Sequence, residues 1–431
     1  MTQLEAITLI SSNTDLFRDV SEVLKTSGGA DFRDVQLKDP GAALDFLNME
    51  MPDLALVDCS DPSFDAFGLL QSITIDPWLF HGGIIALCED FESSGKLEDS
   101  RGANIVATVM LEDLRKHLPT IISVVARNRR ILYQRELGAD LVWNISGSYR
   151  LANDTVEAAC YANLVSNFLC SSGRIALDDK SVLTMAIFEM LINAIEHGNC
   201  GIGYAEKSAW LEQGKNIGEL IEQKCQDPAV AARRVTFEYS FTPESARFFI
   251  ADEGTGFDWK QFTDTSHKTG VFELHGRGIF MTKGFTRNLL YNKEGNEVSF
   301  EIDYLQERSA VTPGVLRSME TSDIQEGQIV FEYGETSDYL YYIVKGRYDV
   351  IVNNRTVSVL SPDDIFMGEM SFLLNNKRSA TVRAATVGRL IKISKKDFVE
   401  AVRRKPQYAL FLSRLLAQRI QRLNQREFTA Q

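Results

Sequence analysis

The stretch Phe188-Glu-Met-Leu-Ile-Asn-Ala-Ile-Glu-His-Gly198 combines a helical hydrophobic pattern with polar residues four positions apart. Its apolar residues recur at helical spacing and predict one buried stripe. The stripe consists of Leu183, Ala186, Ile187, Met190, Leu191, Ala194 and Ile195. Glu189, Asn193 and His197 would lie together on another face, where they can hold a hydrated metal ion and orient a nucleophile. A polar helix edge that happens to repeat is the alternative interpretation.

Two glycine-containing stretches follow later in the chain. Phe248-Phe-Ile-Ala-Asp-Glu-Gly-Thr-Gly-Phe257 predicts a buried strand that ends in an aspartate and a flexible turn. His275-Gly-Arg-Gly-Ile-Phe-Met-Thr-Lys-Gly284 predicts a glycine turn that opens a helix. A helix N-terminus presents free N–H groups and the positive end of its dipole, and glycines let the backbone approach a ligand. The second stretch therefore suits phosphate oxygens.

These three segments, in this order, resemble the ATP-binding fold of the GHKL (Bergerat) superfamily, which includes gyrase, histidine kinases and anti-sigma-factor serine kinases. The resemblance covers residues 140–304, from Trp143-Asn-Ile-Ser146 as first strand to Tyr291-Asn-Lys-Glu-Gly-Asn-Glu-Val298 as closing hairpin. The spacing points to the anti-sigma-factor kinase branch. Three segments in the correct order are more specific than any single glycine motif.

The GHKL resemblance implies roles for individual residues. Asn193 would coordinate the Mg²⁺ that bridges the phosphates of ATP, Glu189 would be the general base, and Asp252 would accept a hydrogen bond from the adenine amino group. The rest of the implied ATP site consists of Gly254 and Gly256 at the turn over the base and of Gly276, Arg277 and Gly278 at the phosphates.

The residues near this implied site also indicate what kind of kinase to expect. A short polar lid is predicted at 259–273, in which Lys268 is either a phosphate contact or a solvated charge. None of the five histidines lies in a suitable helix just before the ATP domain; they are His81, His117, His197, His267 and His275. Phosphoryl transfer to a hydroxyl of another protein is therefore what the resemblance implies.

Composition narrows the class of protein. The 431 residues suffice for three ordinary domains. A formal charge of −13 argues against non-specific binding to nucleic acid or anionic membranes. The six cysteines lack CxxC spacing, which favours free thiols in a reducing cytoplasm. Neither a signal peptide nor an apolar run long enough to span a bilayer is visible, so we expect a cytoplasmic location.

The N-terminal residues 1–125 alternate strands with helices, which predicts a parallel sheet with helices on both faces. Strands are predicted at 6–10, 53–58 and 83–87. Asp58 ends the second of them, at the edge where such sheets carry sites. The stretch Pro52-Asp-Leu-Ala-Leu-Val-Asp58, followed by Pro62, resembles the phosphoacceptor strand of response-regulator receiver domains.

The receiver resemblance is incomplete. Ser11-Ser-Asn13 replaces the acidic pair expected after the first strand, and Cys88 replaces the hydroxyl residue after the fourth. No lysine follows the fifth strand at 105–109. Because aspartyl phosphorylation needs Mg²⁺ held by those acids, we expect a pseudo-receiver used for protein contact. Phosphorylation of Asp58 is the alternative.

In the C-terminal part, short apolar runs separated by glycines predict the strands of a β-roll or barrel. They are expected at 328–331, 339–344, 348–352 and 356–360, with a helical pattern at 395–426. The stretch Gly368-Glu-Met-Ser-Phe-Leu-Leu-Asn-Asn-Lys-Arg-Ser-Ala-Thr-Val-Arg-Ala384 offers a glycine turn, a carboxylate and an arginine beside small residues. A carboxylate can bind a ribose hydroxyl, and an arginine can bind a phosphate through a charge-assisted fork.

This stretch resembles the phosphate-binding cassette of cyclic-nucleotide-binding domains. The match implies that Glu369 takes the ribose 2′-hydroxyl and Arg378 the cyclic phosphate, while Gly368, Met370 and Ser379 complete the implied site. Ser379 is compatible with either cAMP or cGMP, and we expect cAMP rather than cGMP. The turn before Gly368 is one residue longer than usual, and a structural Glu–Arg pair at a barrel edge is the alternative.

We therefore expect a multidomain protein. Its parts are an α/β, flavodoxin-like pseudo-receiver (1–125), a connecting helix (126–139) that is solvated, an α+β Bergerat ATPase domain (140–304), a linker (305–322) and a β-roll cyclic-nucleotide-binding domain with C-terminal helices (323–431).

The expected function is that of a cytosolic signalling protein. Its serine/threonine kinase domain would use Mg-ATP, and cyclic nucleotide would bias the helices at 395–426 against the ATP site. The implied substrate is an anti-sigma-factor antagonist or similar regulator, and the resemblance allows a homodimer. The alternative is a non-catalytic scaffold that senses ATP and cyclic nucleotide and sequesters a sigma factor or another protein. We expect no direct contact with nucleic acid or membrane.

Overall fold

Alternating strands and helices at the N-terminus form a five-stranded parallel sheet in the computed structural model of the chain. The structure describes residues 4, 6–26, 31–35, 39–76, 82–100, 102–132, 145–256, 286–305, 312–413 and 415–417. The strands are β1 (Ala6–Ile10), β2 (Asp31–Val35), β3 (Leu54–Asp58), β4 (Gly83–Cys88) and β5 (Ile105–Met110). Their order, β2-β1-β3-β4-β5, is the flavodoxin-like order, so the predicted α/β class and strands are confirmed. The receiver family itself stays a prediction.

Helices cover both faces of this sheet. They are α1 (Thr14–Thr26), α2 (Pro40–Glu50), α3 (Ala66–Ile75), α4 (Phe91–Lys96) and α5 (Leu114–Arg127). Helices α2 and α3 pack on one face, in a hydrophobic cluster that includes Leu47 and Leu70. Helices α1 and α5 pack on the other face, in a second cluster that includes Val20 and Leu118. The sheet is thus a slab with two separate apolar faces.

The expected solvated connecting helix is wrong for the residues that the structure describes. Helix α5 ends at Arg127, and the short helix α6 (Arg129–Leu132) follows it. Leu132 is fully buried, and its carbonyl accepts a hydrogen bond of 2.9 Å from Asn104. Arg129 forms an ion pair with the buried Asp53. The arginine-rich segment is amphipathic and packs back onto the first domain, while residues 133–139 lie outside the described residues.

The second domain is an antiparallel sheet covered by helices. Its strands are β6 (Ile145–Leu151), β7 (Val235–Phe241), β8 (Ser245–Ala251), β9 (Arg287–Tyr291) and β10 (Glu297–Asp303), in the order β6-β7-β8-β10-β9. Its helices are α7 (Thr155–Ser171), α8 (Leu177–Asn193), α9 (Tyr204–Glu212), α10 (Ile217–Lys224) and α11 (Pro228–Ala232). The predicted closing hairpin is confirmed. The first strand is described from Ile145 onward and continues to Leu151.

The first two domains share one hydrophobic core. A single buried cluster runs from Val106 and Leu118 in the first domain to Leu164 in the second. At the edge strand β5, the side-chain amide of Asn167 donates to the Ile105 carbonyl at 2.8 Å, and that of Asn163 donates to the next carbonyl at 3.3 Å. Helix α7 thereby covers an edge whose polar groups would otherwise remain open.

The third domain is a roll of two four-stranded antiparallel sheets, β11-β18-β13-β16 and β12-β17-β14-β15. Its strands are β11 (Thr321–Ile324), β12 (Ile329–Phe331), β13 (Tyr339–Lys345), β14 (Tyr348–Val352), β15 (Arg355–Leu360), β16 (Phe366–Met367), β17 (Thr381–Ala384) and β18 (Gly388–Ser394). Helix α12 (Glu369–Leu374) follows β16, and helix α13 (Lys395–Arg404) follows β18. The four predicted strands are confirmed.

Regular structure extends into the expected linker, and the C-terminal helical pattern is interrupted. A 3₁₀ turn at Gly314–Leu316 buries Leu316, and β11 already begins at Thr321. Beyond α13 the helix breaks before Pro406, and residues 407–413 and 415–417 are again helical. Within the described part of the chain, no helix is long and apolar enough to cross a membrane.

Candidate nucleotide sites

A pocket of about 390 Å³, counted with its open mouth, lies where α8 ends beside β8 and β10. Met190, Ile250, Tyr291 and Val298 form apolar parts of its wall. Asn193, Asp252 and Gly256 also line it, so the first predicted segment and the first glycine segment meet at one site. Residues 257–285 lie outside the described residues, and with them the predicted lid, Lys268, Gly276, Arg277 and Gly278.

Asp252 follows β8 and turns its carboxylate toward the end of α8. Burial raises the pKa of Asp252 to about 6, although the Gly254 N–H donates to that carboxylate at 2.8 Å and opposes the shift. A Cβ on Gly198 would lie 2.2 Å from the Asp252 carboxyl carbon, and one on Gly254 would lie 2.1 Å from the Gly198 carbonyl oxygen. The close approach of the two segments therefore requires glycine at both positions.

Asn199 joins these segments, although the sequence analysis missed it. It is fully buried; its side-chain oxygen accepts from the Glu253 N–H at 2.9 Å, and its amide donates to Asn153 at 2.8 Å. The signal in the sequence was the position of a short amide directly after His197-Gly198. Such a side chain can satisfy backbone groups where two segments cross.

The helix carrying the first segment changes register after Asn193. Residues Ala194–Asn199 form a π-helical turn, in which the Cys200 N–H donates to the Ile195 carbonyl at 2.9 Å. A π turn adds one residue and so shifts His197 from the predicted α-helical register, but His197 still lines the same pocket as Asn193. The His197 Nδ1 donates to the Ile202 carbonyl at 2.6 Å, since a carbonyl oxygen can only accept.

Glu189 lies one helical turn before Asn193 and is half-buried. Burial raises the pKa of Glu189, the nearby Lys207 ammonium lowers it, and Glu196 raises it. Lys207 forms an ion pair of 2.6 Å with Glu196, whose side chain is only 2% exposed. A carboxylate whose proton affinity is raised in this way suits a general base.

The described residues fit the adenine end of ATP. Apolar walls suit a planar ring, and the Asp252 carboxylate is an acceptor at the end of the pocket. Within the described ranges, no group of three or more His, Cys, Asp or Glu residues can hold a metal ion. Asn193 would hold Mg²⁺ together with phosphate oxygens, an arrangement that Mg²⁺ commonly uses.

In the third domain, Arg378 organises the predicted cassette. Gly368 opens α12 with a φ of +78°, and a Cβ at this position would lie 2.2 Å from Arg378 Nη1. Nη1 donates to the Gly368 carbonyl at 2.9 Å and to the Ser371 hydroxyl at 3.0 Å, while Nη2 donates to the Tyr339 carbonyl. The guanidinium carbon lies 4.2 Å from the centre of the Phe331 ring. Contacts of Arg378 with Ser371, Tyr339 and Phe331 were not predicted from the sequence.

The same residues fit an anionic ligand. Arg378 is 3% exposed and Glu369 is 7% exposed. Burial lowers the pKa of Arg378, and its Nε has no hydrogen-bond partner in the described part of the chain. The nearby Glu369 carboxylate opposes the lowering of the Arg378 pKa, so a structural Glu–Arg pair stays an untested alternative. Ser379 and Met370 are exposed beside them.

In the first domain, Asp58 is 1% exposed at the end of β3. The hydroxyl of Ser11 donates to Oδ2 at 2.6 Å, while the Ser60 N–H donates to Oδ1 at 3.0 Å and the Ser60 hydroxyl to the same oxygen. One of the residues that replace the expected acidic pair therefore satisfies Asp58 directly. Phosphorylation of Asp58 stays an untested alternative.

Comparison with known proteins identifies two of the domains. Residues 155–302 match the family described as histidine kinase-like ATPase domain, and residues 322–405 match the family described as cyclic nucleotide-binding domain. The chain therefore carries both domains, consistent with an ATP-binding signalling protein regulated by cyclic nucleotide.

Individual relatives match short parts of this chain. A cGMP-dependent protein kinase of Plasmodium berghei is 35% identical over 74 residues, which are 17% of this chain and 8% of the relative. A cAMP-dependent protein kinase regulatory subunit of Eremothecium gossypii is 33% identical over 72 residues, which are 17% of this chain and 16% of the relative. The chain thus spans a small fraction of these curated relatives. The crystal structure of the Thermus thermophilus catabolite activator protein is 26% identical, covering 27% of this chain and 56% of that one, with a TM-score of 0.25.

Proposed function

We propose that this chain is an ATP-dependent protein serine/threonine kinase of the anti-sigma-factor type whose activity responds to cyclic nucleotide. The observation that carries the proposal is the placement of Glu189 one turn before Asn193. Asn193 lines the same pocket as Asp252, and burial raises the pKa of Glu189. The proposed metal-binding amide and the proposed adenine acceptor line one pocket, and the proposed base lies one helical turn before that amide.

The chemistry follows from this arrangement. Asp252 would accept a hydrogen bond from the adenine amino group and orient the nucleotide. Asn193 would hold Mg²⁺, which neutralises phosphate charge when it is bound. Glu189 would take the proton from a serine or threonine hydroxyl of the substrate as that oxygen attacks the γ-phosphorus and ADP leaves. Its raised pKa favours this transfer because it brings the base nearer to neutral pH.

The protein substrate is expected to be an anti-sigma-factor antagonist or a similar regulator. The regulatory ligand is a cyclic nucleotide, with cAMP preferred to cGMP. Arg378 would bind the cyclic phosphate through its guanidinium, and Glu369 would accept from the ribose hydroxyl. Because Arg378 is buried and its Nε has no hydrogen-bond partner in the described residues, a ligand phosphate would supply an acceptor for that donor.

The test is phosphorylation of a candidate anti-sigma-factor antagonist by the full chain, measured by mass spectrometry. Glu189→Gln should abolish transfer while calorimetry still detects Mg-ATP binding. Glu212→Gln, an exposed change on α9, is the matched control and should leave transfer intact. If Glu189→Gln transfers phosphate at the wild-type rate, the general-base assignment is wrong. If the wild-type chain binds both nucleotides and the antagonist but transfers nothing, the scaffold that sequesters its partner replaces the kinase.

A further inference from the structure

We propose that the N-terminal α/β domain relays the cyclic-nucleotide signal to the ATP-binding domain through a contact between Asp76 and Tyr408. This inference rests on the proposed function, because it names the route of that regulation. It differs from the sequence-based expectation that the helices at 395–426 act directly on the ATP site. Their described part lies against the N-terminal domain.

Asp76 occupies a position that is unfavourable without the third domain. It caps the C-terminus of α3, where its N–H donates to the Ser72 carbonyl, and it is only 3% exposed. A carboxylate is disfavoured at the negative end of a helix dipole, and its burial adds a desolvation penalty. The Tyr408 hydroxyl donates to Asp76 Oδ2, and Lys405 Nζ lies 3.5 Å from the same oxygen. Both donors belong to the third domain, so Asp76 Oδ2 has these partners only when the two domains are docked, while Oδ1 has no hydrogen-bond partner in the described residues.

The contact extends beyond this pair. The buried Gln407 donates to Asp45 of α2 at 3.1 Å. On the other side, a Cβ on Gly314 would lie 3.0 Å from a methyl carbon of Ile75, so the segment that enters the third domain passes closely over α3. The surface formed by α2 and α3 thus contacts the segment before β11 and the segment after α13.

The segment 405–408, which contacts the N-terminal domain, is connected to the cyclic-nucleotide cassette. Helix α12, which begins with Glu369, packs the Phe372 ring at 5.7 Å and 87° against Phe398 of α13. Phe372 and Tyr408 belong to the same hydrophobic cluster. A ligand that shifts α12 would therefore shift α13 and the segment that carries Lys405 and Tyr408.

The opposite face of the N-terminal sheet is connected to the ATP-binding domain. Helices α1 and α5 lie in the hydrophobic cluster that also contains Met190, a wall residue of the ATP pocket. The amide of Asn167 on α7 holds the edge strand β5. Packed cores transmit displacement because they rearrange between discrete packings rather than deform. The N-terminal α/β domain therefore connects its α2–α3 face to the ATP site and can transmit a displacement between them.

The test compares wild-type protein with Tyr408→Phe, which removes only the hydroxyl, and with the matched control Tyr333→Phe, whose ring is 74% exposed. Calorimetry measures the Kd of Mg-ATP with and without saturating cAMP, and hydrogen exchange follows peptide 66–76 on addition of cAMP alone. We expect cAMP to change the Kd of ATP at least fivefold in the wild type and the control. In Tyr408→Phe the change should fall below twofold, while each nucleotide alone still binds.

A second variant is needed in case the interface between the two domains tolerates the loss of the Tyr408 hydroxyl. Gln407→Glu places a carboxylate against Asp45 and should also abolish the coupling by repulsion. The relay is overturned if both variants keep full coupling, or if cAMP binds without changing exchange in 66–76. Because the coupling is read from ATP affinity and not from turnover, a chain that shows it without phosphorylating a protein would overturn the kinase and leave the relay intact. A wild-type chain that binds no cyclic nucleotide would overturn both.

Discussion

A methyl group on Gly198 would lie 2.2 Å from the carboxyl carbon of Asp252, closer than any real contact permits. The first residue lies in the π turn that follows α8, and the second directly follows strand β8. Their side-by-side placement brings the proposed acceptor for adenine next to the helix that carries Asn193. Position 198 therefore requires glycine because of the close contact with Asp252, and not because of the local turn.

We predict that Gly198→Ala weakens ATP binding by about tenfold or more while the chain still folds. The new methyl group must displace the Asp252 carboxylate, and loss of one buried hydrogen bond to a charged group is worth about 1.5–3 kcal/mol. Gly203→Ala is the matched control, because a Cβ there would meet nothing within 4 Å. Calorimetric titration with Mg-ATP measures both, and equal affinities for the two variants would contradict the assignment of Asp252.

ATP binding should depend on pH through Asp252. Burial raises its pKa from an ordinary 3.8 to about 6, so the carboxyl is protonated in the folded chain below pH 6 and ionised above it. The ionised form is the stronger acceptor, and we expect ATP affinity to rise about tenfold between pH 5 and pH 7. Asp252→Asn should lack this step, and the ratio of the two proteins cancels the titration of ATP itself. Parallel profiles would show that Asp252 does not contact the base.

The same shift has a consequence for folding. A carboxyl whose pKa is higher in the folded than in the unfolded chain binds more protons when folded, between about pH 4 and pH 6. Its contribution to the free energy of unfolding therefore falls as pH rises through that window. Asp252→Asn should remove this part of the pH dependence, which denaturant titrations at pH 4.5 and pH 7 can measure.

Much of the fold could be predicted from local patterns. The strands of the first and third domains follow apolar runs between glycines, and the helix at 177–193 follows a 3.6-residue stripe. Asp252 and Gly368 could be singled out because their proposed roles depend on residue type at fixed spacing. In each case the prediction depends on a few neighbouring residues.

The remaining features arise from residues far apart in the chain. Tyr408 and Asp76 are ordinary residues 332 positions apart, and nothing near either one indicates that they meet. The arginines after 126 suggested a solvated helix, but Leu132 between them anchors the segment in the core. The π turn after Asn193 was not predicted, because it adds one residue to a helical turn and no particular residue type marks it.

Lys207 is predicted to position and tune the general base. Lys207→Gln leaves Glu196 buried without its ion pair, and removing one partner of a buried pair costs about 3–5 kcal/mol, toward the lower end here because Lys207 is 28% exposed. Loss of the ammonium also raises the pKa of Glu189, so the acid limb of the rate profile should move to higher pH. Lys207→Arg should restore both properties.

Lys116→Gln provides the contrast for this variant. Lys116 pairs with Glu222 on the surface, where both side chains are more than half exposed, and such a pair contributes about 0–1 kcal/mol. Denaturant titration and the pH dependence of phosphorylation measure both variants. A Lys207→Gln protein as stable as Lys116→Gln, with an unmoved acid limb, would mean that Lys207 is not coupled to the site.

Arg378→Lys should abolish high-affinity cyclic-nucleotide binding. The lysine keeps the charge but cannot donate at once to the Gly368 carbonyl, the Ser371 hydroxyl and a phosphate, because it lacks the planar fork. Loss of two charge-assisted hydrogen bonds at about 1.5–3 kcal/mol each predicts an affinity at least a hundredfold weaker. Arg383→Lys, on the exposed side of β17, should bind as the wild type does. Titration with cAMP and with cGMP measures the affinities, and thermal unfolding shows whether the roll is intact. A folded Arg378→Lys protein with undiminished affinity would mean that the phosphate binds elsewhere.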